Sequence, residues 1–391
     1  MRKVKFSDCV EYMIKGPFGS DMKKSLYVPK GDNTYKVYIQ INAIQKDQTL
    51  GDYYVSEEYY HKKLERFEVH PGDYLITCDG TLGKFIKLDE NSEKGVISSS
   101  LLLLKLKEDV IYDKYFELIW EFSMLGYLAS QARNACLVHL PSAKAIGDVE
   151  ITLPELEEQI ELADRAFTVS NIVEKRKHEL TLFDNLIKAR FVEMFGDPET
   201  SEKYPHVAVK EITEVISGGT PDRKNNTYWE NGTVPWVKTT ELQNNRLSDI
   251  GEYITEKGLN ESSAKIVPEG TVLIAMYGQG KTRGMTAILD VPASTNQACA
   301  CLLPSEKIES EYLWQYMIMS YDRLRNLAQG GNQPNLNGNM IKNFTVLIPS
   351  KDKQIEFVEF VKQVDKSKVA VQRALDETQL LFDSLMQEYF G

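Results

Sequence analysis

Val149 to Glu161 reads VEITLPELEEQIE, and Phe344 to Glu356 reads FTVLIPSKDKQIE. Pro154 aligns with Pro349 and Gln159-Ile160-Glu161 with Gln354-Ile355-Glu356, an offset of 195. Further on, LFDNLIKARF from Leu182 returns as LFDSLMQEYF from Leu381, now at an offset of 199. Four extra residues are about one helical turn, so the second copy gains ~6 Å of helix and nearly keeps its face. Internal self-similarity on this scale marks a duplicated architecture.

Both copies read as long helices entered through a proline. Leu156, Ile160, Ala163, Phe167, Val173, Leu180, Phe183, Ile187 and Met194 form one apolar stripe at helical spacing. Ile355, Val358, Val361, Val364, Val371, Leu375, Phe382, Leu385 and Tyr389 form the other. The spans predicted from the pattern are 154–196 and 349–391. About 40 residues without an internal proline make a rod of ~60 Å, suited to pairing with another rod. Two similar stripes in one chain supply each other with a partner, which predicts an antiparallel coiled coil. The competing reading is that each helix buries its stripe on its own neighbouring domain.

The segments before the helices, 1–153 and 197–348, repeat more faintly. VHPGDYLITCDGTLGK from Val69 lines up with VPEGTVLIAMYGQGK from Val267, matching Gly72, Leu75, Ile76 and Gly80 to Gly270, Leu273, Ile274 and Gly278. LVHLPSAKAIGDVEITLP, ending at Pro154, corresponds to GNQPNLNGNMIKNFTVLIP, ending at Pro349. Strand-like runs such as TYKVYIQI and TVLIAM mix with helical ones such as DKYFELIWEFSML, without regular βαβ alternation. The expected class is α+β, in the order domain, helix, domain, helix.

TVLIAMYGQGKTRG, Thr271 to Gly284, imitates a nucleotide-binding P-loop. A P-loop needs a helix immediately after its Lys-Thr, because the helix N-terminal amides hold the phosphates. Here Thr282 is followed by RGMTAILDVP, a β-like run ending in proline, so the expectation is a strand, a tight glycine turn and a second strand. For Lys281 and Arg283, a solvated loop and a phosphate contact both stand as readings.

The 391 residues carry a net charge of −11, which opposes a nucleic-acid partner at face value. Residues 1–150 hold 20 basic and 22 acidic side chains, 151–200 hold 6 and 11, 201–343 hold 14 and 16, and 344–391 hold 6 and 8. Seven of the eleven excess negatives therefore fall on the helical segments, and the domains keep enough cations for basic surfaces. Cys9, Cys78, Cys136, Cys299 and Cys301 show no CxxC spacing, and the five histidines include no HExxH, so neither a disulfide framework nor a metal site is expected. No run approaches the ~18 apolar residues of a membrane span, and MRKVKFSDCVEYMIKG lacks the apolar core of a secretory signal, which predicts a cytoplasmic location.

RKHELTLFDNLIKARFVEMFGDP (176–198), SGGTP (217–221), GGNQPNLN (330–337) and the two repeated QIE helix starts, in this order, resemble the specificity subunit of type I restriction-modification systems. The resemblance covers the whole chain. It implies two target recognition domains, each reading one half of a split asymmetric DNA sequence, and two helices that act as spacer and as docking site for two copies of a modification (methyltransferase) subunit. Such a subunit is non-catalytic and binds no cofactor itself. S-adenosylmethionine is expected on the modification subunit, and ATP and Mg on a restriction subunit where one is present. The residues agree: the chain contains no [DNS]PP[FYW] tetrapeptide and no glycine-rich S-adenosylmethionine loop paired with one, and no nuclease-like cluster stands out.

Amides and guanidinium groups suit base edges, while hydroxyls, lysines and main-chain amides suit phosphates. On that chemistry the candidates in the first domain are Lys15, Ser20, Lys23, Lys24, Thr77, Asp79, Thr81, Lys84, Ser98, Ser99, Ser100, Arg133 and His139, the last read as a packed or hydrogen-bonded loop residue ahead of a base reader. In the second they are Thr220, Arg223, Lys224, Lys238, Thr239, Thr240, Tyr277, Gln279, Lys281, Arg283, Asn296, Gln297, Asn332, Gln333 and Asn335. Each singly has the alternative reading of an ordinary loop residue or turn former. Exposed Glu157, Glu158, Glu174, Asp376 and Glu377 would repel DNA and leave their helix faces for protein. Two rival functions remain at this stage, a coiled-coil scaffold binding proteins only and a P-loop ATPase.

Overall fold

A computed structural model of the chain describes residues 2–131, 139–278, 280–327 and 335–390. The chain divides into two compact units, Met1–Lys175 with Leu375–Gly391, and Arg176–Ala374. The two long helices are continuous over Leu156–Phe195 and Lys351–Phe390, 40 residues each. Each helix contributes one part to each unit.

In the first unit, β1 (Arg2–Lys5) pairs antiparallel with β10 (Glu150–Leu153), so the chain start is tied to the strand preceding the first long helix. Between them, β2 (Val10–Lys15), β9 (Leu101–Leu106), β6 (Tyr74–Thr77) and β7 (Phe85–Lys87) form a four-stranded sheet in that order. A second sheet has the order β4 (Tyr54–Ser56), β3 (Thr34–Tyr38), β8 (Gly95–Ile97), β5 (Glu68–Val69), with β3 and β8 parallel. One face of the first sheet supplies Tyr74, Ile76, Leu102 and Leu104 to a core shared with Leu162, Ala163 and Ala166 of the first long helix and Met386 and Phe390 of the second.

The second unit repeats this plan. β11 (His206–Ala208) pairs antiparallel with β20 (Thr345–Leu347). The main sheet has the order β12 (Val215–Ser217), β19 (Cys299–Leu302), β16 (Val272–Ala275), β17 (Thr286–Leu289), β14 (Asn245–Leu247). β15 (Tyr253–Ile254), β13 (Val234–Val237) and β18 (Ser294–Thr295) form the smaller sheet, again with a parallel pair, β13–β18. Phe191 and Phe195 pack at 5.5 and 5.6 Å from Phe357 and at 5.8 and 5.3 Å from Tyr312, closing the core around both helices.

The repeated QIE motif has a structural cause. Gln159 is buried, with Nε2 donating to the carbonyls of Pro154 and Val110 at 3.0 Å and Oε1 accepting from Tyr112 N at 2.9 Å. Gln354, equally buried, donates to the Pro349 carbonyl at 2.9 Å and accepts from Glu309 N at 2.8 Å. The amide staples the first turn of each long helix to the domain before it, and the N–H groups it satisfies, Tyr112 N and Glu309 N, stand at the starts of the shorter helices Asp113–Ile119 and Ser310–Met319, where a helix leaves its donors unpaired. Ile160 and Ile355, read as stripe residues, are instead 39% and 41% exposed, because the buried glutamine beside each fixes which face turns inward.

Within the second unit the two helix segments run antiparallel. Arg190 Nη2 lies 3.0 Å from Glu356 Oε1, Lys368 Nζ 2.7 Å from Asp184 Oδ1, and Arg176 donates to the Ala374 carbonyl. Residue numbers fall on one helix as they rise on the other. No helix among the described residues is long and apolar enough to cross a membrane.

Candidate nucleic-acid interface

In each unit the strands of the main sheet end together and the candidate loops gather there. Pairing of Lys15 with Leu102, Thr77 with Leu101 and Ile76 with Phe85 places one end of β2, β9, β6 and β7 beside segments 16–24, 78–84 and 98–100. Pairing of Ser217 with Ala300, Ala275 with Cys299 and Ile274 with Thr286 does the same for segments 218–224, 276–285 and 296–298.

The two ends share one backbone framework. Cys78 N donates to the Ser100 carbonyl and Met276 N to the Ala298 carbonyl, both at 2.8 Å. Gly83 N donates to Thr77 O and Gly284 N to Ala275 O, both at 2.9 Å. A Cβ at Gly16 would overlap the Ser98 carbonyl, and one at Gly218 the Thr295 carbonyl, so close backbone approach demands glycine at both places. The P-loop imitation sits on this framework: β16 and β17 pair antiparallel, and the glycine turn leads into a strand. Among the described residues no helix N-terminus stands there to hold a phosphate.

Several candidates have internal work that explains them. Thr77 is buried, its hydroxyl donating to the Thr81 carbonyl and accepting from Lys84 N at 3.0 Å, so it closes the turn and presents nothing outward. Lys15 Nζ donates to the Leu140 carbonyl at 2.8 Å. Asp79 pairs with His139 Nδ1 at 2.6 Å, which matches the reading of His139. Ser98 is buried and shares a 3.2 Å hydroxyl contact with Ser100. Asn296 Oδ1 accepts from Ala298 N at 3.1 Å as a turn former, and Thr220 donates to Gln297 Oε1.

Ser20, Lys23, Lys24, Thr81, Lys84, Ser99, Lys224, Thr240, Tyr277, Lys281, Gln297 and Asn335 are exposed, and Thr239 and Arg283 are partly buried. The Tyr321 hydroxyl and the Arg325 guanidinium hold the carbonyls of Lys281 at 2.7 Å and of Gly280 and Arg283 at 2.9 Å, which fixes the path of the turn carrying both cations. Arg133, Gln279, Asn332 and Gln333 lie outside the described residues.

Arg223 and Lys238 come together through a residue that residue type alone did not single out. Glu252 receives both terminal nitrogens of Arg223, the second at 3.2 Å, and Lys238 Nζ at 3.1 Å. The hydrogen bond from Arg223 is the largest of the effects that hold the Glu252 carboxyl below its ordinary range. The Arg223 guanidinium carbon also lies 3.6 Å from the ring centre of Trp229 and 4.6 Å from that of Trp236. By its sign an acid is a poor candidate beside DNA. The available signal was aromatic: two tryptophans following an arginine within fifteen residues.

The fold is thus one of duplicated mixed units, each carrying loops on a shared sheet end and each including parts of two long helices. Residues 201–378 match the sequence model of the type I restriction modification DNA specificity domain. It is 28% identical over 194 residues to the type I restriction enzyme EcoR124I/EcoR124II specificity subunit of Escherichia coli, covering 48% of each chain. It is 23% identical over 359 residues to the MjaVIII specificity subunit of Methanocaldococcus jannaschii, covering 83% of this chain and 82% of that one. The chain thus spans about half the length of the Escherichia coli relative in the matched region. A crystal structure of the type I restriction-modification S subunit from M. genitalium has the same fold, with a TM-score of 0.58 and 13% identity over all of this chain and 96% of that one.

Proposed function

We propose that this chain is the DNA-recognition subunit of a type I restriction-modification complex. Its two domains, 1–153 and 197–348, each read one half of a split, asymmetric target. The observation that carries this reading is the shared loop framework with different side chains: the same hydrogen bonds at both sheet ends hold different chemistry, as two half-sites of different sequence require. The outward-facing members of the candidate set, with Lys281 foremost, contact the duplex together with the partly buried Arg283 on the same turn, and Thr77 and Lys15 shape the loops from behind.

The helices over 154–196 and 349–391 pair as an antiparallel coiled coil, set the distance between half-sites and dock two methyltransferase subunits. Exposed Leu182, Leu186, Val192, Val369, Leu380 and Leu381 support docking, since large apolar side chains on a helix surface favour a protein partner. The chain is non-catalytic and cytoplasmic, and S-adenosylmethionine belongs to its partner. The test is to express the chain with and without the methyltransferase subunit of the same genome and map methylated bases. Methylation of one split asymmetric sequence only when both are present supports the reading. A stable complex without sequence-specific methylation overturns it in favour of a protein-binding scaffold.

A further inference from the structure

Arg223 is held in an unusual way for an exposed loop residue. The backbone leading into it is pinned twice, with Trp236 Nε1 donating to the Gly219 carbonyl at 2.9 Å and Trp229 Nε1 to the Asp222 carbonyl at 3.1 Å. Its guanidinium lies on the Trp229 ring and meets the Glu252 carboxylate end-on through Nη1 and Nη2. Trp229 and Trp236 pack edge to face with centroids 5.1 Å apart, which stiffens the platform. Glu252 is fixed in turn, because its carbonyl accepts from Trp236 N at 2.8 Å.

A guanidinium carries five N–H donors in one plane. The end-on pair with Glu252 takes two of them. Nε–H and the outer N–H of Nη2 remain side by side on one edge, and the side chain keeps 48% of its surface. Two parallel donors on a fixed plane match the O6 and N7 acceptors of guanine in the major groove, the pairing by which arginine specifies that base. Lys238 shares the carboxylate, so the cluster keeps one net positive charge toward a polyanion.

The first unit shows that the fold itself does not need this cluster. There Val37 N donates to the Tyr53 carbonyl at 2.7 Å, the counterpart of Trp236 and Glu252, and Tyr53 packs on Tyr27 at 5.3 Å. The backbone is common to both units and the arginine, acid and tryptophans are peculiar to the second. Side chains that vary on a constant frame are where two half-sites acquire different sequences.

We infer that Arg223 reads a guanine in the half-site recognised by the second unit, with Glu252 and Trp229 as its positioning residues. This rests on the DNA-recognition reading above. The test selects binding sites from a randomised duplex library on the full chain in complex with its methyltransferase subunit, for the wild type, Arg223→Lys and Glu252→Gln. Lysine keeps the charge and loses the fork, so Arg223→Lys is expected to lose roughly tenfold or more of the preference for guanine at one position, leaving the other half-site intact. Glu252→Gln removes a negative charge next to the duplex. It is expected to relax the same position while affinity for unrelated DNA rises, a split that a purely structural role would not produce. A wild type that selects a split target while both variants select it unchanged overturns this inference alone. Uniform weakening at every position assigns Arg223 to a phosphate and also overturns it. A wild type without sequence preference removes the DNA-recognition reading and this inference together.

Discussion

The Nε2 of Gln159 donates to the carbonyl of Pro154 at 3.0 Å, across the first turn of a 40-residue helix. Replacing Gln159 by Ala leaves Tyr112 N–H and the Pro154 and Val110 carbonyls without this partner in a buried place. The expected loss is ~2–4 kcal/mol of unfolding free energy, read by urea denaturation, with a similar loss for Gln354→Ala. A change below ~0.5 kcal/mol would show that water replaces the amide.

Lys281 and Arg283 sit on a turn whose path Tyr321 and Arg325 hold. Replacing both by Ala is expected to weaken DNA binding by the complex and to lower the slope of log affinity against log salt by about 1 for each phosphate left without its cation. Unchanged affinity and slope would exclude them from the interface.

Thr77 presents the opposite case. Its hydroxyl is buried in the turn, so Thr77→Val should cost ~1–3 kcal/mol in stability while the selected DNA sequence stays the same. A changed target with unchanged melting would mean that the turn itself faces the bases.

Glu117 accepts from the Tyr74 hydroxyl at 3.1 Å, and burial pushes its carboxyl above the ordinary range. A raised pKa means that the folded chain holds the proton more tightly than the unfolded one, so ionisation costs stability as pH rises through the folded value. Glu117→Gln imitates the neutral acid. Its expected gain, on the order of 1 kcal/mol at pH 7, should fade below pH ~4, where the acid is protonated in both states. Thermal melting at both pH values decides it, and equal effects at each would leave packing as the cause.

Much of this architecture was legible in a few residues. Pro154 and Pro349, the QIE repeats and the absence of any proline over the next 40 positions mark two long helices, because proline is tolerated ahead of a helix but breaks its interior. The P-loop imitation was legible as well, since the residues after Thr282 favour a strand. The orientation of the helices was harder: Ile160 and Ile355 satisfy the apolar period and still face outward. Periodicity counts apolar residues and does not see that a buried glutamine has claimed the inward face.

The candidate interface divides along the same line. Residue type pointed to Thr77 and to Arg223 with equal force, because both bear donors in glycine-rich loops. Only the folded turn between β6 and β7 shows that the first hydroxyl is spent inside it, on the Thr81 carbonyl and Lys84 N. Only the fold brings Glu252 to Arg223 across 29 residues of chain. Helix length and the duplication follow from local preference and were set by the sequence itself. Which side chains point outward, and which acid holds which arginine, depends on contacts between distant segments, and tertiary structure alone decided them.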